Sequence, residues 1–233
     1  IGSTEYIKMQ AAVLNYEVTE FEFEVQFRCS GSAGFVNWIN NTLGIERTAN
    51  QLWTGAEAFD FRIFSTPEAM EAAIRAKAGG KVTARLAAGY CWDWKSKRNP
   101  AAFDIEIPEF EFQRQWNLGS DGSLWITAPN SIEQVGCIHT CQGLELDYVG
   151  VIIGADLIVR DGQLATDPSG RSSMDRSIRG WKTLIRQNPD STSARLDRII
   201  RNTYRTLRTS GMKGCYVFCT DSGLQDYLRQ RTT

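Results

Sequence analysis

The chain reads Gly136-Cys-Ile-His-Thr-Cys-Gln-Gly-Leu-Glu-Leu-Asp-Tyr-Val-Gly-Val-Ile-Ile-Gly154 through its most informative segment. This pattern is typical of a strand, a polar turn, a short linker and a second strand. Residues 149–154 are nearly all apolar without alternation, as in a central strand that is buried on both faces of a sheet. Parallel neighbours need a crossover connection, so the segment predicts an α/β fold with a mostly parallel sheet and helices on both faces.

Segments of the same two kinds alternate along the rest of the chain. Thr66 before Pro67, followed by Glu68, is typical of a capped helix start. Strands are predicted at residues 21–27, 59–64, 85–90, 123–126, 134–139, 148–153 and 215–219. Helices are predicted at residues 33–43, 67–77, 173–187, 191–208 and 222–231.

Three polar stretches do not fit this alternation. Residues 95–99 and 160–170 are rich in turn formers and are predicted as loops. Residues 104–112 alternate acidic and apolar side chains, which predicts an edge strand or a hairpin interrupted by Pro108.

The composition bounds the class of protein. The 233 residues are 42% hydrophobic, 23% charged and 11% aromatic, which excludes wholesale disorder and collagen-like repeats. No apolar run approaches the roughly 20 residues that span a bilayer, and the first residues do not resemble an export signal. We therefore expect a soluble, cytoplasmic protein with no membrane partner, forming a single domain over residues 1–233. Because the chain begins with Ile1, we also expect it to be part of a longer protein or a processed product.

Charge is distributed unevenly although the net charge is only -1. Between Arg160 and Lys213 the sequence has twelve Lys or Arg residues against five Asp or Glu residues. This excess is compatible with a polyanionic partner, and equally with a solvated, salt-bridged helix surface.

Several common catalytic and metal sites have little support in this sequence. No glycine-rich loop ends in Lys-Ser or Lys-Thr, so the chain lacks the phosphate-binding Walker A loop. His139 is the only histidine, which argues against a histidine-based triad or a zinc protease. Cys137 and Cys141 flank His139, but residues four apart in a strand lie about 13 Å apart, too far for one zinc ion. The six cysteines are therefore predicted to be buried thiols in a reducing compartment, and no metal site is predicted.

The turn at residues 139–145 resembles motif V of superfamily 1 helicases, a His, two residues, Gln or Lys, and then Gly-x-Glu. The matching residues here are His139, Gln142, Gly143 and Glu145. The resemblance implies that Gly143 and Glu145 face the nucleotide, with Glu145 accepting a hydrogen bond from a ribose hydroxyl. It also implies that His139, Thr140 and Gln142 contact nucleic acid. The alternative is an ordinary turn after a strand, with a histidine that has a structural role.

Three further segments resemble the same family in the same order, and one of them, residues 87–94, resembles a further strand of the family's motor domain. The strand that ends in Phe27-Arg28-Cys29 resembles motif IV, in which Arg28 would touch the γ-phosphate of ATP. Residues 202–219 resemble motif VI, a helix that leads through a phosphate-facing turn, residues 209–213, into a strand. Together the motifs look closest to a bacterial family of predicted DNA/RNA helicases related to the helicase part of Schlafen proteins.

This resemblance implies the second, C-terminal motor domain of a helicase, with a RecA-like fold of the P-loop NTPase type. ATP and Mg²⁺ would be bound only together with a first motor domain outside this chain. Partners would be that domain and single-stranded DNA or RNA, with Arg198 and Arg201 on the basic helix 191–208 as further contacts.

Motif VI departs from the family pattern at one position. Family members read Thr-Arg-Gly-Met-Lys-Gly, whereas this chain has Ser210 in place of the arginine finger, before Gly211. Arg205 or Arg208 would then have to supply the charge that stabilises the transferring phosphoryl group. The alternative is a binding or regulatory module that kept the scaffold and lost catalysis.

Aromatic side chains offer one more candidate contact. Trp92 and Trp94 alternate along a predicted strand and lie on one of its faces, where they could stack a nucleobase. Core packing is the competing interpretation, because large aromatic residues are most often found in cores.

Overall fold

The computed structural model describes residues 4–19, 29, 32–55, 59–117 and 122–232. The strand predicted at residues 21–27 and the candidate catalytic residue Arg28 lie outside the described residues. The helices are α1 (Thr4–Val13), α2 (Ala33–Thr42), α3 (Pro67–Lys77), α4 (Ile138–Cys141), α5 (Trp181–Gln187), α6 (Pro189–Arg208) and α7 (Ser222–Arg229). The strands are β1 (Asp60–Ile63), β2 (Ala84–Ala88), β3 (Ile105–Ile107), β4 (Phe112–Trp116), β5 (Gln134–Cys137), β6 (Leu146–Ile153), β7 (Leu157–Arg160), β8 (Gln163–Thr166) and β9 (Gly211–Cys219).

A mostly parallel sheet organises the described chain. Seven strands pair in the order β1-β9-β6-β2-β5-β4-β3, and only the edge pair β3 and β4 is antiparallel. The β6 strand lies between β9 and β2, and its residues from Val149 to Ile153 are all buried. The predicted central strand and the predicted α/β class are therefore confirmed, and the sheet is consistent with a RecA-like fold.

Helices cover both faces of this sheet. A Cβ atom on Gly150 would meet Ile74 of α3 at 2.8 Å, so α3 packs on the face to which Gly150 points. Phe61 of β1 pairs in register with Cys215 of β9, and the guanidinium of Arg208 on α6 lies 5.5 Å from the Phe61 ring centre. Because Cys215 neighbours Val149 rather than Gly150, α6 lies on the opposite face.

The start of α3 forms as the sequence predicts. The Thr66 hydroxyl accepts a hydrogen bond from the Ala69 amide at 3.2 Å, and Pro67 occupies the first turn, where an amide proton has no helical partner. Buried Met70 and Ile74 then attach the helix to the sheet. Helix α6 also follows its prediction closely, with buried Leu196, Ile200, Tyr204 and Leu207 along one face.

Several predicted elements are wrong in kind or extent. Residues 123–126 are part of a 3₁₀ helix, Gly122–Thr127, rather than a strand. Residues 160–170 are not a plain loop, because β7 and β8 form a two-stranded antiparallel hairpin there. The helix predicted from residue 173 begins only at Trp181, after a 3₁₀ turn at Arg176–Ile178. The interrupted hairpin predicted near Pro108 is confirmed as β3 and β4.

The strand predicted at residues 134–139 ends at Cys137. The next four residues form the single helical turn α4, which contains His139 and Thr140. The predicted separation of about 13 Å between Cys137 and Cys141 assumed that a strand joins them, and that premise is wrong. Within the described ranges, no group of three or more His, Cys, Asp or Glu residues is placed to hold a metal ion.

Candidate functional site

Motif V starts at the carboxyl end of β5. The buried Asn117 side chain, which follows β4, accepts hydrogen bonds through Oδ1 from the Cys137 amide at 3.0 Å and from the Thr140 hydroxyl at 3.1 Å. These bonds fix the α4 turn at the edge where parallel sheets bind ligands. The His139 side chain is 55% exposed there. Asn117 was not predicted, because nothing in its local sequence marks it.

From Gln142, the cap residue at the end of α4, motif V runs to the opposite end of the sheet, where Leu146 pairs with Gly211. Gln142, Gly143 and Glu145 are exposed, and Gly143 has a φ of +88°, a left-handed conformation that favours glycine. Among the described residues beyond its two chain neighbours, none has a heavy atom within 4 Å of where a Gly143 Cβ would be, so they leave the surface open there. At the next residue, the Leu146 amide donates a hydrogen bond to the Ser210 carbonyl at 2.9 Å. Glu145 therefore lies beside the motif VI turn.

Motif VI is a tight turn between α6 and β9. The Thr209 hydroxyl donates to the Arg205 carbonyl at 2.9 Å, and the Ser210 hydroxyl donates to the Leu207 carbonyl at 2.6 Å. Both side chains are buried. The Cys29 thiol, next in sequence to Arg28, donates to the Thr209 carbonyl at 3.8 Å. The described parts of motifs IV, V and VI thus meet at this turn.

The turn is shorter than predicted, because β9 begins at Gly211 rather than at residue 215. A Cβ atom on Gly211 would lie 2.2 Å from the Gly214 carbonyl oxygen, so this close approach requires glycine. The Lys213 ammonium lies 2.6 Å from Asp147 on β6. Lys213 is thus part of the sheet surface rather than of the turn.

The arginines considered as replacements for the finger both have other contacts. Arg205 is half-buried and donates through Nε to Asn40 Oδ1 at 2.7 Å. Arg208 is completely buried, with its guanidinium 4.8 Å from the Trp38 ring centre. Arg208 therefore lies in the core and not on the surface of the turn.

The two candidate nucleic-acid arginines of α6 differ in exposure and in their contacts. Arg198 is exposed, and no ion pair involves it within the described residues. Arg201 lies 2.7 Å from Asp197 and also donates to the Leu43 carbonyl at the end of α2. Arg201 joins two helices, whereas the Arg198 guanidinium is available to a ligand.

Comparison with known proteins identifies the family. A family model described as Schlafen group 3, DNA/RNA helicase domain, matches residues 1–221. The chain belongs to this family. The match agrees with the resemblance carried by His139, Gly143 and Glu145 in the motif V turn.

One relative of this Schlafen group 3 domain is the uncharacterized protein YPL245W of Saccharomyces cerevisiae. It is 24% identical over 229 residues, which cover 89% of this chain and 47% of the yeast protein. The chain thus spans about half the length of that relative. No solved structure matches the chain. Across the described helices of the Schlafen domain, none combines the length and apolar character needed to cross a membrane.

A buried polar network connects α6 to motif V of the Schlafen domain. The Tyr204 hydroxyl donates to Asp156 Oδ1 and accepts from the Gly154 amide at 3.0 Å. Asp156 Oδ2 lies 3.6 Å from Arg171 Nη1, and Arg171 Nε lies 2.7 Å from Asp175 Oδ2. Asp175 Oδ1 lies 3.8 Å from His139 Nε2. The network therefore extends from the core to the exposed histidine.

The two carboxylates of this network differ in pKa. Burial raises the pKa of Asp156, and the charge of Arg171 only partly offsets this effect. Burial also acts to raise the pKa of Asp175, but the His139 imidazole and the Arg171 guanidinium outweigh it and hold the pKa at about 2. The His139 contact is an ion pair only when the imidazole is protonated, so Arg171 is the constant partner. The sequence did not predict this network, because its members lie far apart in the chain.

The candidate stacking residues Trp92 and Trp94 belong to the core packing. Strand β2 ends at Ala88, so neither lies on a strand. Their rings are 6.4 and 6.2 Å from the ring of buried Trp116. The Trp92 indole also donates to the Glu106 carbonyl at 3.1 Å. The core interpretation of these two residues is thus confirmed.

Proposed function

We propose that this Schlafen group 3 chain is the second, C-terminal RecA-like motor domain of an ATP-dependent DNA/RNA helicase or translocase. In this proposal a first motor domain holds most of the ATP and its Mg²⁺, and this chain closes over the nucleotide. Closure of two such domains excludes water and couples hydrolysis to movement along a single strand.

One observation carries the proposal. Three segments that lie far apart in the chain meet at the turn between α6 and β9, through the Cys29 contact with Thr209 and the Leu146 contact with Ser210. These are the segments that the family resemblance assigns to the nucleotide. The exposed Glu145 and the open surface over Gly143 leave room beside that turn for a ligand.

The proposal assigns two groups of residues. The nucleotide side would be formed by Arg28, Gly143, Glu145, Ser210 and Gly211, with Arg205 behind them. The nucleic-acid side would be formed by His139, Thr140, Gln142 and Arg198 at the other end of motif V. Arg201 would contribute by fixing α6 to α2 rather than by direct contact.

A second candidate function is favoured by the state of Ser210. Its hydroxyl is buried against the Leu207 carbonyl, and neither Arg205 nor Arg208 replaces an arginine at the surface of the turn. An arginine finger is worth about 10³–10⁵ in rate where it acts. The chain could thus be a nucleic-acid-binding or regulatory module that keeps the RecA-like scaffold without catalysis.

An ATPase assay separates these two functions. The full-length protein that includes the first motor domain is assayed with and without single-stranded nucleic acid, as wild type, Arg28→Ala and Ser210→Arg. Lys81→Ala, an exposed lysine without an ion pair in the described chain, is the matched control. A motor loses activity with Arg28→Ala and gains at least partly with Ser210→Arg, whereas Lys81→Ala leaves the rate unchanged.

Equal rates for wild type, Arg28→Ala and Ser210→Arg would contradict the motor and favour the binding module. The 233-residue chain alone is expected to show no ATP turnover, because its sequence has no Walker A loop. Turnover by the purified chain that is lost on Glu145→Ala would contradict its assignment as half of a motor.

A further inference from the structure

A groove of about 360 Å³ lies between the end of the β7–β8 hairpin and the start of α5. Its walls carry Ser169, Ser173, Arg179, Trp181 and Lys182, and its floor carries Arg171 and Asp175. No residue that the motif resemblance singled out lines it. Its place in the fold, however, is close to motif V, because Asp175 also faces His139 across 3.8 Å.

The groove has a positive charge that the protein does not neutralise. Asp175 is the acid among its lining residues, and its carboxylate is already paired with Arg171 at 2.7 Å. The Asp167 carboxylate, next to the groove, accepts hydrogen bonds from the Ser169 amide and hydroxyl and forms an ion pair with Arg160. Arg179 and Lys182 are both exposed, and neither forms an ion pair within the described residues.

The same pattern continues beyond the groove. Six exposed basic side chains between residues 176 and 198 form no ion pair with any described residue: Arg176, Arg179, Lys182, Arg186, Arg195 and Arg198. A solvated helix surface stabilised by salt bridges would pair most of these charges with acids. Exposed cations without ion pairs are instead typical of a surface that binds a polyanion.

The aromatic ring of Trp181 favours a single-stranded nucleic acid over other polyanions as the ligand of this groove. Its half-buried indole lines the groove and also a smaller adjoining pocket with Leu184, Arg195 and Leu196. The Lys182 ammonium lies 5.9 Å from the ring centre. An aromatic ring beside cations is the combination that binds a single strand, because each base can stack on the ring while phosphates lie near the charges.

We infer that this groove is a binding site for single-stranded DNA or RNA, with a base stacked on Trp181 and phosphates near Arg179 and Lys182. The inference rests on the proposed function and names a part of the strand path that the motifs do not include. The strand would continue past His139 toward Arg198. An acidic peptide would use the cations but has no comparable use for the indole.

The test measures binding of a labelled dT20 and a labelled rU20 to the 233-residue chain by fluorescence anisotropy at several salt concentrations. Trp181→Ala is expected to weaken binding about tenfold, because a stacked base contributes on that order. Trp181→Phe, which keeps an aromatic face, is expected to stay within about threefold of wild type. Arg179→Glu and Lys182→Glu should weaken binding and reduce its salt dependence. Lys81→Glu, an exposed lysine outside the groove, is the control and should bind like wild type.

Circular dichroism of each variant confirms that the chain is folded. Unchanged binding by Trp181→Ala and Arg179→Glu, with a loss for Arg198→Glu, would overturn the groove site and leave the proposed nucleic-acid contact of α6 intact. Equal competition by polyglutamate would also overturn it, in favour of a general polyanion surface. No binding by wild type at low salt would overturn the inference, while the ATPase assay of the full-length protein would still decide the proposed motor function.

Discussion

Two arginines in the described part of this domain are shielded from water, and their surroundings are opposite. Arg171 lies between Asp156 and Asp175, and two of its nitrogens are 3.6 and 2.7 Å from their carboxylates. Arg208 packs against the rings of Trp38 and Phe61, and it forms no ion pair with a carboxylate of the described residues. The first arginine closes a polar network, whereas the second is a charge within an aromatic core.

The pKa values of these two arginines shift in opposite directions. Burial lowers the pKa of Arg208, and the nearby thiols, Cys215 first among them, do not offset it. Burial also acts to lower the pKa of Arg171, but the charges of Asp156 and Asp175 outweigh it and raise the pKa. A buried charge is tolerated in both places, and at Arg171 two buried carboxylates are paired with it.

The largest expected effect is at Arg171. Arg171→Met keeps the length of the side chain and leaves two buried aspartates without their cation. Removing one partner of a buried ion pair typically costs about 3–5 kcal/mol, so the free energy of unfolding should fall by that amount. Urea unfolding of the 233-residue chain measures it. Arg160→Met, which removes a surface pair with Asp167, should cost less than about 1 kcal/mol. Equal losses for the two variants would contradict the role of the network.

A smaller effect is expected for Asp175→Asn, and it depends on pH. The pKa of Asp175 is held at about 2, below its ordinary value of 3.8, so the charged carboxylate stabilises the folded state. This stabilisation is present above pH 4 and is lost as the pH falls through the folded pKa. Asp175→Asn should therefore lower stability by about 2 kcal/mol at pH 7, and the difference from wild type should shrink between pH 4 and pH 2. Urea unfolding at pH 7, 4 and 2.5 tests this, and a difference that stays constant would refute it.

The smallest effect, and one of opposite sign, is expected at Arg208. Arg208→Met replaces an unpaired buried charge by an apolar chain of similar length. We expect the free energy of unfolding to stay unchanged or to rise by up to about 2 kcal/mol, because the desolvation cost disappears while some cation–π attraction is lost. The same urea titration compares it directly with Arg171→Met. A loss as large as that at Arg171 would contradict this account of Arg208.

Local sequence was enough to predict the elements in which chain propensity and burial agree. Helix α3 has its cap, its proline and its buried stripe within eleven residues. Strand β6 is an unbroken apolar run, and such a run indicates burial on both faces wherever it lies in a sheet. The order of the strands was not predicted, because neighbouring strands such as β1 and β9 lie far apart in the chain.

Elements were mispredicted where distant residues decide the backbone. The turn α4 replaces the end of a predicted strand because Asn117, twenty residues away, bonds to both the Cys137 amide and the Thr140 hydroxyl. The β7–β8 hairpin has strands of only four residues each, which are too short to show a periodic signal. Motif VI was predicted to have a longer turn, because the close contact of Gly211 with Gly214 is not visible in a linear pattern.

The candidate site was likewise predicted where its residues are close in sequence and missed where they are not. The motif residues were found because their spacing is local, and the structure brings Glu145 and Ser210 to one turn through the neighbouring Leu146. The groove at Trp181 was not found, since its residues were divided between a predicted loop and a predicted helix. The sequence also could not show which arginine lacks an ion pair with the described residues. Arg198 and Arg201 look alike in the sequence, and their contacts in the structure distinguish them.

The thiols give this domain an unusual experimental property. Five of the six cysteines are buried, and Cys91 is partly exposed. Burial raises the pKa of Cys137 to about 11 and those of Cys215 and Cys219 to about 12. Because the thiolate is the species that reacts, alkylating reagents should modify the five buried cysteines only when a segment opens. With Cys29, β5, α4 and β9 each carrying such a probe, the rate of modification at each site would map which parts of the domain open first.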